Sequence, residues 1–74
     1  MLTLTQSLRR LEKHVTGPRD WYRIDHYKVM DGSFFHVEAH LWRGERRQLH
    51  QANDASLARA VNIVLFNIAS PGTI

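Results

Sequence analysis

The sequence predicts a small α+β domain in which two helices flank a three-stranded antiparallel sheet, in the order αβββα. Three observations carry that reading. An apolar stripe of helical period stands near each end of the chain. Two runs rich in aromatic and β-branched residues surround Asp31-Gly32. A third, short and polar run follows Arg43-Gly44-Glu45-Arg46. At 74 residues the chain has room for one domain, spanning 1–74, with a small core.

Leu4, Leu8, Leu11 and Val15 recur at helical spacing and predict a first helix over about 4–16. Thr3 and Gln6 fit the Thr-x-x-Gln capping box. Gly17-Pro18 is expected to stop the helix, with Gly17 in the left-handed position after it. The strands are expected at about 21–30 and 34–42, joined by Asp31-Gly32 as a type I′ turn. That loop sets Met30 against Ser33, Lys28 against Phe35, Asp25 beside Glu38, and Trp21 beside Trp42. One face, with Tyr22, Ile24, Phe35, Val37, Ala39 and Leu41, reads as the core. The other holds Trp21, Tyr27, Phe34, His36 and Trp42 among charged residues.

A third strand is expected over about 47–51. A three-residue loop before it would bring Leu49 beside Leu41 in the core, and burial favours that register. Asn53 or Asp54 is expected to cap a second helix over about 54–69, with Leu57, Val61, Val64, Leu65 and Ile68 as its core stripe and Ser70-Pro71-Gly72 as its stop. Ile63 and Phe66 fall outside that stripe and are candidate subunit contacts.

Composition limits function. The chain has no Cys, so it has no disulfide, zinc-thiolate site or thiol nucleophile. No apolar run is long enough to span a bilayer and no leader is evident, so a cytosolic protein without a membrane partner is expected. Ten Lys and Arg against seven Asp and Glu leave a formal charge of +3, which permits an acidic or nucleic-acid partner without demanding one. His36-x-Glu38-x-His40 lines one side of a strand. At ~3.3 Å per residue, however, the two imidazoles lie about 13 Å apart and cannot share an ion on a straight strand. No serine has a nucleophile-elbow context and no phosphate-binding Gly-rich loop occurs. The expectation is a non-enzymatic protein with no cofactor and no metal.

Exposed aromatics interleaved with Arg typify protein interfaces and also stack on single-stranded nucleic acid. Trp21, Tyr27, Phe34, His36 and Trp42 are therefore the candidate partner-binding residues, with Arg43, Arg46 and Arg47 at the rim. The alternative is that the first helix covers this face and makes its rings core.

The αβββα order resembles the double-stranded RNA-binding domain, with Pro18-x-x-Trp21-Tyr22 at the start of the first strand. The chain departs from that family where RNA is bound. Asp31-Gly32 replaces the family's Gly-Pro-x-His loop, and Asn53-Asp54-Ala55-Ser56-Leu57-Ala58 stands in place of its Lys-rich cluster. The resemblance implies the topology but not that binding surface. The Phe34-Phe35-His36-Val37-Glu38 strand and the Ala52–Ala60 segment resemble small phage proteins described as α/β/α sandwiches. Those proteins usually carry a Pro in the helix lead-in, which is missing here. This second resemblance implies a phage setting. Chains of this kind without catalytic residues are often inhibitors of host defence, anti-CRISPR proteins above all. The expected partner is a host protein or nucleoprotein complex, and the expected state is monomer or homodimer. Direct nucleic-acid binding and an oligomeric structural role are the alternatives.

Overall fold

The structure, a computed structural model, describes residues 3–69. It contains α1 (Leu4–His14), β1 (Trp21–Val29), β2 (Gly32–Arg43), β3 (Arg46–Asp54) and α2 (Leu57–Ala69). The strands form one antiparallel sheet in the order β1-β2-β3. This is the α+β architecture expected from the sequence. The Ser70-Pro71-Gly72 stop lies outside the described residues.

Helix α1 begins with the expected capping box. The Gln6 N–H donates to Thr3 Oγ1 at 3.2 Å, and the Thr3 N–H donates to Gln6 Oε1 at 2.9 Å. The helix ends at His14, two residues early, with the Val15 N–H turned to the Glu12 carbonyl. Gly17 does not take the left-handed position expected of it, since among the described residues only Gly32 and Gly44 have positive φ. It is needed for close approach instead: a Cβ there would lie 2.9 Å from Asp20 Oδ2.

Asp20 is the knot of the α1–β1 connection. Its carboxylate accepts the N–H groups of Trp42 at 2.8 Å and Gly17 at 3.0 Å. These two bonds, the Trp42 bond foremost, hold its pKa below the ordinary 3.8. A depressed carboxylate contributes stability above its unfolded pKa and loses it as pH falls through the lower folded value. Asp20→Asn should therefore melt below the wild type at neutral pH, and the gap should close as pH drops below 3.8. A gap that persists in acid would mean that the carboxylate's charge is not the cause.

Both hairpins differ in register from expectation. The first reverses through Met30-Asp31, with Val29 opposite Gly32. Among the described residues no non-Gly residue has positive φ, so the turn is not type I′. The unusual φ of +147° falls on Gly32, where no Cβ opposes it. The pairing moves by two residues, setting Trp21 against His40, Arg23 against Glu38 and Asp25 against His36. An even shift leaves every side chain on its expected face. The second hairpin has a two-residue loop, Gly44-Glu45, with φ of +66° on Gly44 alone, as a type II′ turn requires. Leu49 consequently pairs with His40 on the face away from the helices and is 44% exposed. The expected place beside Leu41 goes to Gln48. Strand β3 is also longer than 47–51. Asn53 and Asp54 belong to it, and Ser56 caps α2 by accepting the Arg59 N–H at 3.3 Å.

Both helices lie on the same side of the sheet. The core joins Leu11 of α1, Val37, Ala39 and Leu41 of β2, Ala52 of β3, and Ala60, Val61, Val64 and Ile68 of α2, with Tyr22 and Ile24 at its β1 margin. Helix α2 packs on β2 and β3, and α1 packs on α2. The fully buried Ser7 hydroxyl donates to Asn62 Oδ1 at 2.7 Å between the two helices. The described residues therefore form two layers, not the three of an α/β/α sandwich, and among them no helix lies on the second face of the sheet.

Candidate docking face

The helix-free face is a ladder of cross-strand rows, each set by the register. At one end Trp42 lies opposite Arg47, with the Arg19 guanidinium stacked 4.0 Å above its ring. Trp21, His40 and Leu49 form the next row. The Trp21 indole is stacked on His40 at 3.8 Å and 12°, so Trp21 meets His40 rather than the Trp42 expected beside it. Arg23, Glu38 and Gln51 follow, then Asp25, His36 and Asn53. Tyr27 stacks on Phe34 at 5.2 Å in the last row. Strand β3 ends opposite Phe35, so residues 27–34 continue past it as a two-stranded arm. That arm carries exposed Val29 and a fully exposed Met30 at its tip.

The polar rows at the centre are closed on themselves. The Arg23 guanidinium sits 2.7 Å from Asp25 Oδ2 and 2.9 Å from Glu38 Oε1. The hydrogen bond and charge of Asp25, with Glu38 behind, push its pKa higher still. The expected neighbouring carboxylates are thus bridged by a cation rather than set against each other. The His40 Nε2–H donates to Glu38 Oε2 at 3.1 Å, and the His36 Nδ1–H donates to Asn53 Oδ1 at 2.6 Å. The second His36 nitrogen stands 3.9 Å from Glu38. Glu38 is the hub of this network. Among the described residues, no three metal-ligating side chains converge.

The structure gathers Trp21, Tyr27, Phe34, His36 and Trp42 on one face, as the alternation of the strands predicts. Trp21 and Tyr27 are 44% and 43% exposed, whereas Phe34, His36 and Trp42 are half-buried. The Arg trio is divided. Arg47 lies opposite Trp42 on the open face, whereas Arg43 and Arg46 pair with each other on the helix side. Alternation along β3 separates Arg46 from Arg47 whatever the loop length. Ile63 and Phe66 are exposed on α2, in the opposite layer.

Sequence reasoning missed two members of the face, Leu49 and Arg19. Val29 falls on the face that strand alternation predicts, and Met30, expected at the end of β1, sits in the turn with its side chain fully exposed. Leu49 was assigned to the core. Arg19 lies in the turn before β1, where strand alternation does not place it, and its guanidinium stacks on the Trp42 ring. It also donates from Nη2 to the Gly44 carbonyl at 3.2 Å, which ties it to the β2–β3 turn.

The charge is unevenly shared between the layers. The helices carry Arg9, Arg10, Lys13 and Arg59 against Glu12 alone. The strands and connections carry six cations and six acids, so the whole formal excess of +3 resides on the helices. The open face carries Arg19, Arg23 and Arg47 against Asp25 and Glu38, an excess of one, too small to follow a phosphate backbone. Among the described residues no helix is long and apolar enough to cross a membrane. Comparison with known proteins gives no matching family model, no matching curated protein and no matching solved structure.

Proposed function

We propose that the chain is a non-enzymatic binding protein of the phage-inhibitor kind, which docks its open sheet face on a host defence complex. An anti-CRISPR role is its most concrete form. The observation that carries the docking reading is the bare side of the sheet. Trp21, Tyr27, Val29 and Leu49 are exposed there around Arg23, Asp25 and Glu38, which are already paired with one another. Rigid rings lose little side-chain freedom on docking, and Trp, Tyr and Arg supply most interface hot spots. Because Arg23, Asp25 and Glu38 are mutually satisfied, a partner can cover them without leaving a charge unpaired. The inhibitor reading rests on the chain's small size and on the resemblance of its Phe34–Glu38 and Ala52–Ala60 segments to phage proteins, whose three-layer arrangement it does not share.

The test is to express the chain in cells whose CRISPR complex restricts a targeted phage. Plaquing should rise, and the purified chain should bind that complex. Trp21→Ala and Tyr27→Ala should each weaken binding by about 2 kcal/mol, roughly thirtyfold. Arg46→Ala, on the helix side, should leave it unchanged. Undiminished restriction would overturn the inhibitor reading, and full affinity in both ring variants would overturn the face. Nucleic-acid binding, the second reading, is favoured by the cations on the helix layer alone. It requires affinity that falls steeply with salt and is indifferent to Trp21.

A further inference from the structure

The structure assigns a second docking site to the outer surface of the helix layer, and we infer that its ligand is an acidic polypeptide segment with an apolar anchor. The site lies on the opposite side of the molecule from the sheet face and does not depend on it. Gln6, Arg9, Arg10 and Lys13 line a hollow of about 200 Å³ along α1. Beside it, a cleft of about 320 Å³ separates the helices. Arg10 and His14 form its α1 wall, and Asn62, Leu65, Phe66 and Ala69 form its α2 wall.

Helical spacing explains this gathering. Residues 6, 9, 10, 13 and 14 are three and four apart and share one side of α1. Glu12, the helix's one acid, projects elsewhere and accepts the Tyr22 hydroxyl at 3.3 Å. None of Arg9, Arg10, Lys13 or Arg59 lies within 4.0 Å of a carboxylate among the described residues. Lys13 and His14 in the last turn complement the helix dipole, but Arg9 and Arg10 lie too far from that end to do so. Arg9 and Lys13, like charges at i and i+4, disfavour the isolated helix. A local arrangement that works against its own element is where function is expected.

The apolar half of the cleft selects the ligand. Phe66 is 69% exposed, the most exposed large apolar side chain on the helices, and Leu65 lies half-buried beside it. A phosphate backbone would satisfy the cations and leave Phe66 facing charge. A purely acidic chain would use the cations and ignore the hollow. An amphipathic segment places an apolar side chain against Leu65 and Phe66 and its carboxylates on Arg10, Lys13 and Arg9. Bidentate Arg–carboxylate pairs then fix its direction.

Fluorescence anisotropy tests this with a labelled synthetic helix bearing glutamates on one face and leucines on the other, against polyglutamate and duplex RNA. The amphipathic peptide should saturate and bind more tightly than either comparator. Reversing two charges in Arg10→Glu/Lys13→Glu should weaken it by at least about tenfold, or 1.4 kcal/mol. Phe66→Ser should weaken the peptide yet leave polyglutamate unchanged, and Trp21→Ala should affect neither. All these sites are exposed, and circular dichroism checks that each variant is folded. Three results would overturn the assignment: no saturation, equal binding of peptide and polyglutamate, or duplex RNA bound more tightly than the peptide.

Discussion

Leu41→Ala should destabilise the domain by about 2–5 kcal/mol, the usual range for emptying a fully buried leucine site. Leu41 is wholly buried near the C-terminal end of β2, the central strand, in the cluster that also contains Leu11, Val61 and Val64. At roughly 0.05–0.15 kcal/mol per residue, a chain of this length holds only about 4–11 kcal/mol in total. The variant's melting temperature should drop by more than about 10 °C, and much of the population should be unfolded at 37 °C if the wild type lies at the low end. Leu49→Ala should cost less than about 1 kcal/mol, because Leu49 is 44% exposed on the other face. The comparison reads the β2–β3 register directly. A three-residue loop would put the two leucines side by side in the core and make the variants equally damaging. Urea titrations of both, with matched m-values, would settle the choice, and equal losses would show the two-residue pairing to be wrong.

The faces of the sheet were legible in the sequence, and the register was not. Face assignment needs only the alternation of Tyr22, Ile24, Val37, Ala39 and Leu41 against Trp21, Tyr27, Phe34, His36 and Trp42, and an even slip cannot disturb it. Register depends on which residues occupy the turn, and Asp31-Gly32 offers two solutions. A type I′ turn would force Asp31 into positive φ. The observed loop places the one unusual φ on Gly32, which tolerates it, and leaves Met30 and Asp31 in ordinary conformations. The slip has chemical consequences. It sets Arg23 between Asp25 and Glu38, and brings Trp21 onto His40.

At the second turn, burial and turn chemistry pointed to different loops. Gly44 favoured a two-residue II′ turn and the apolar Leu49 favoured three residues; the turn prevailed. Asn53 and Asp54 were read as caps because their side chains suit that role, yet both still pair with β2, and Ser56 takes the cap. The placement of the first helix was beyond pattern reading. An amphipathic stripe shows that a helix packs but not on which side, and here α1 packs on α2 through Leu11 and Ser7. That choice left the aromatic face open and turned the Arg9, Arg10 and Lys13 side of α1 to solvent.

Glu38→Ala should be the most damaging single change on the open face, costing about 1–3 kcal/mol. Glu38 holds Arg23 on one oxygen and His40 on the other, and the two partners differ in what they lose. Arg23 is half exposed and keeps Asp25, so its loss is close to that of a surface ion pair, which is small. His40 is buried under the Trp21 ring, and its Nδ1 already has no partner. Without Glu38 both ring nitrogens are orphaned, and the unmet hydrogen bond is the main cost. Arg23→Ala should therefore be milder than Glu38→Ala. The double variant Glu38→Ala/His40→Leu should regain part of the stability, since removing both polar partners costs less than stranding one. Denaturant midpoints for the three variants decide the matter. If the double variant is no more stable than Glu38→Ala, the stranded imidazole is not the source of the loss. Recovery of stability would place the Glu38–His40 pair among polar groups that a hydrophobic substitute can replace, and would direct any reason for their presence to what they present to a partner rather than to folding.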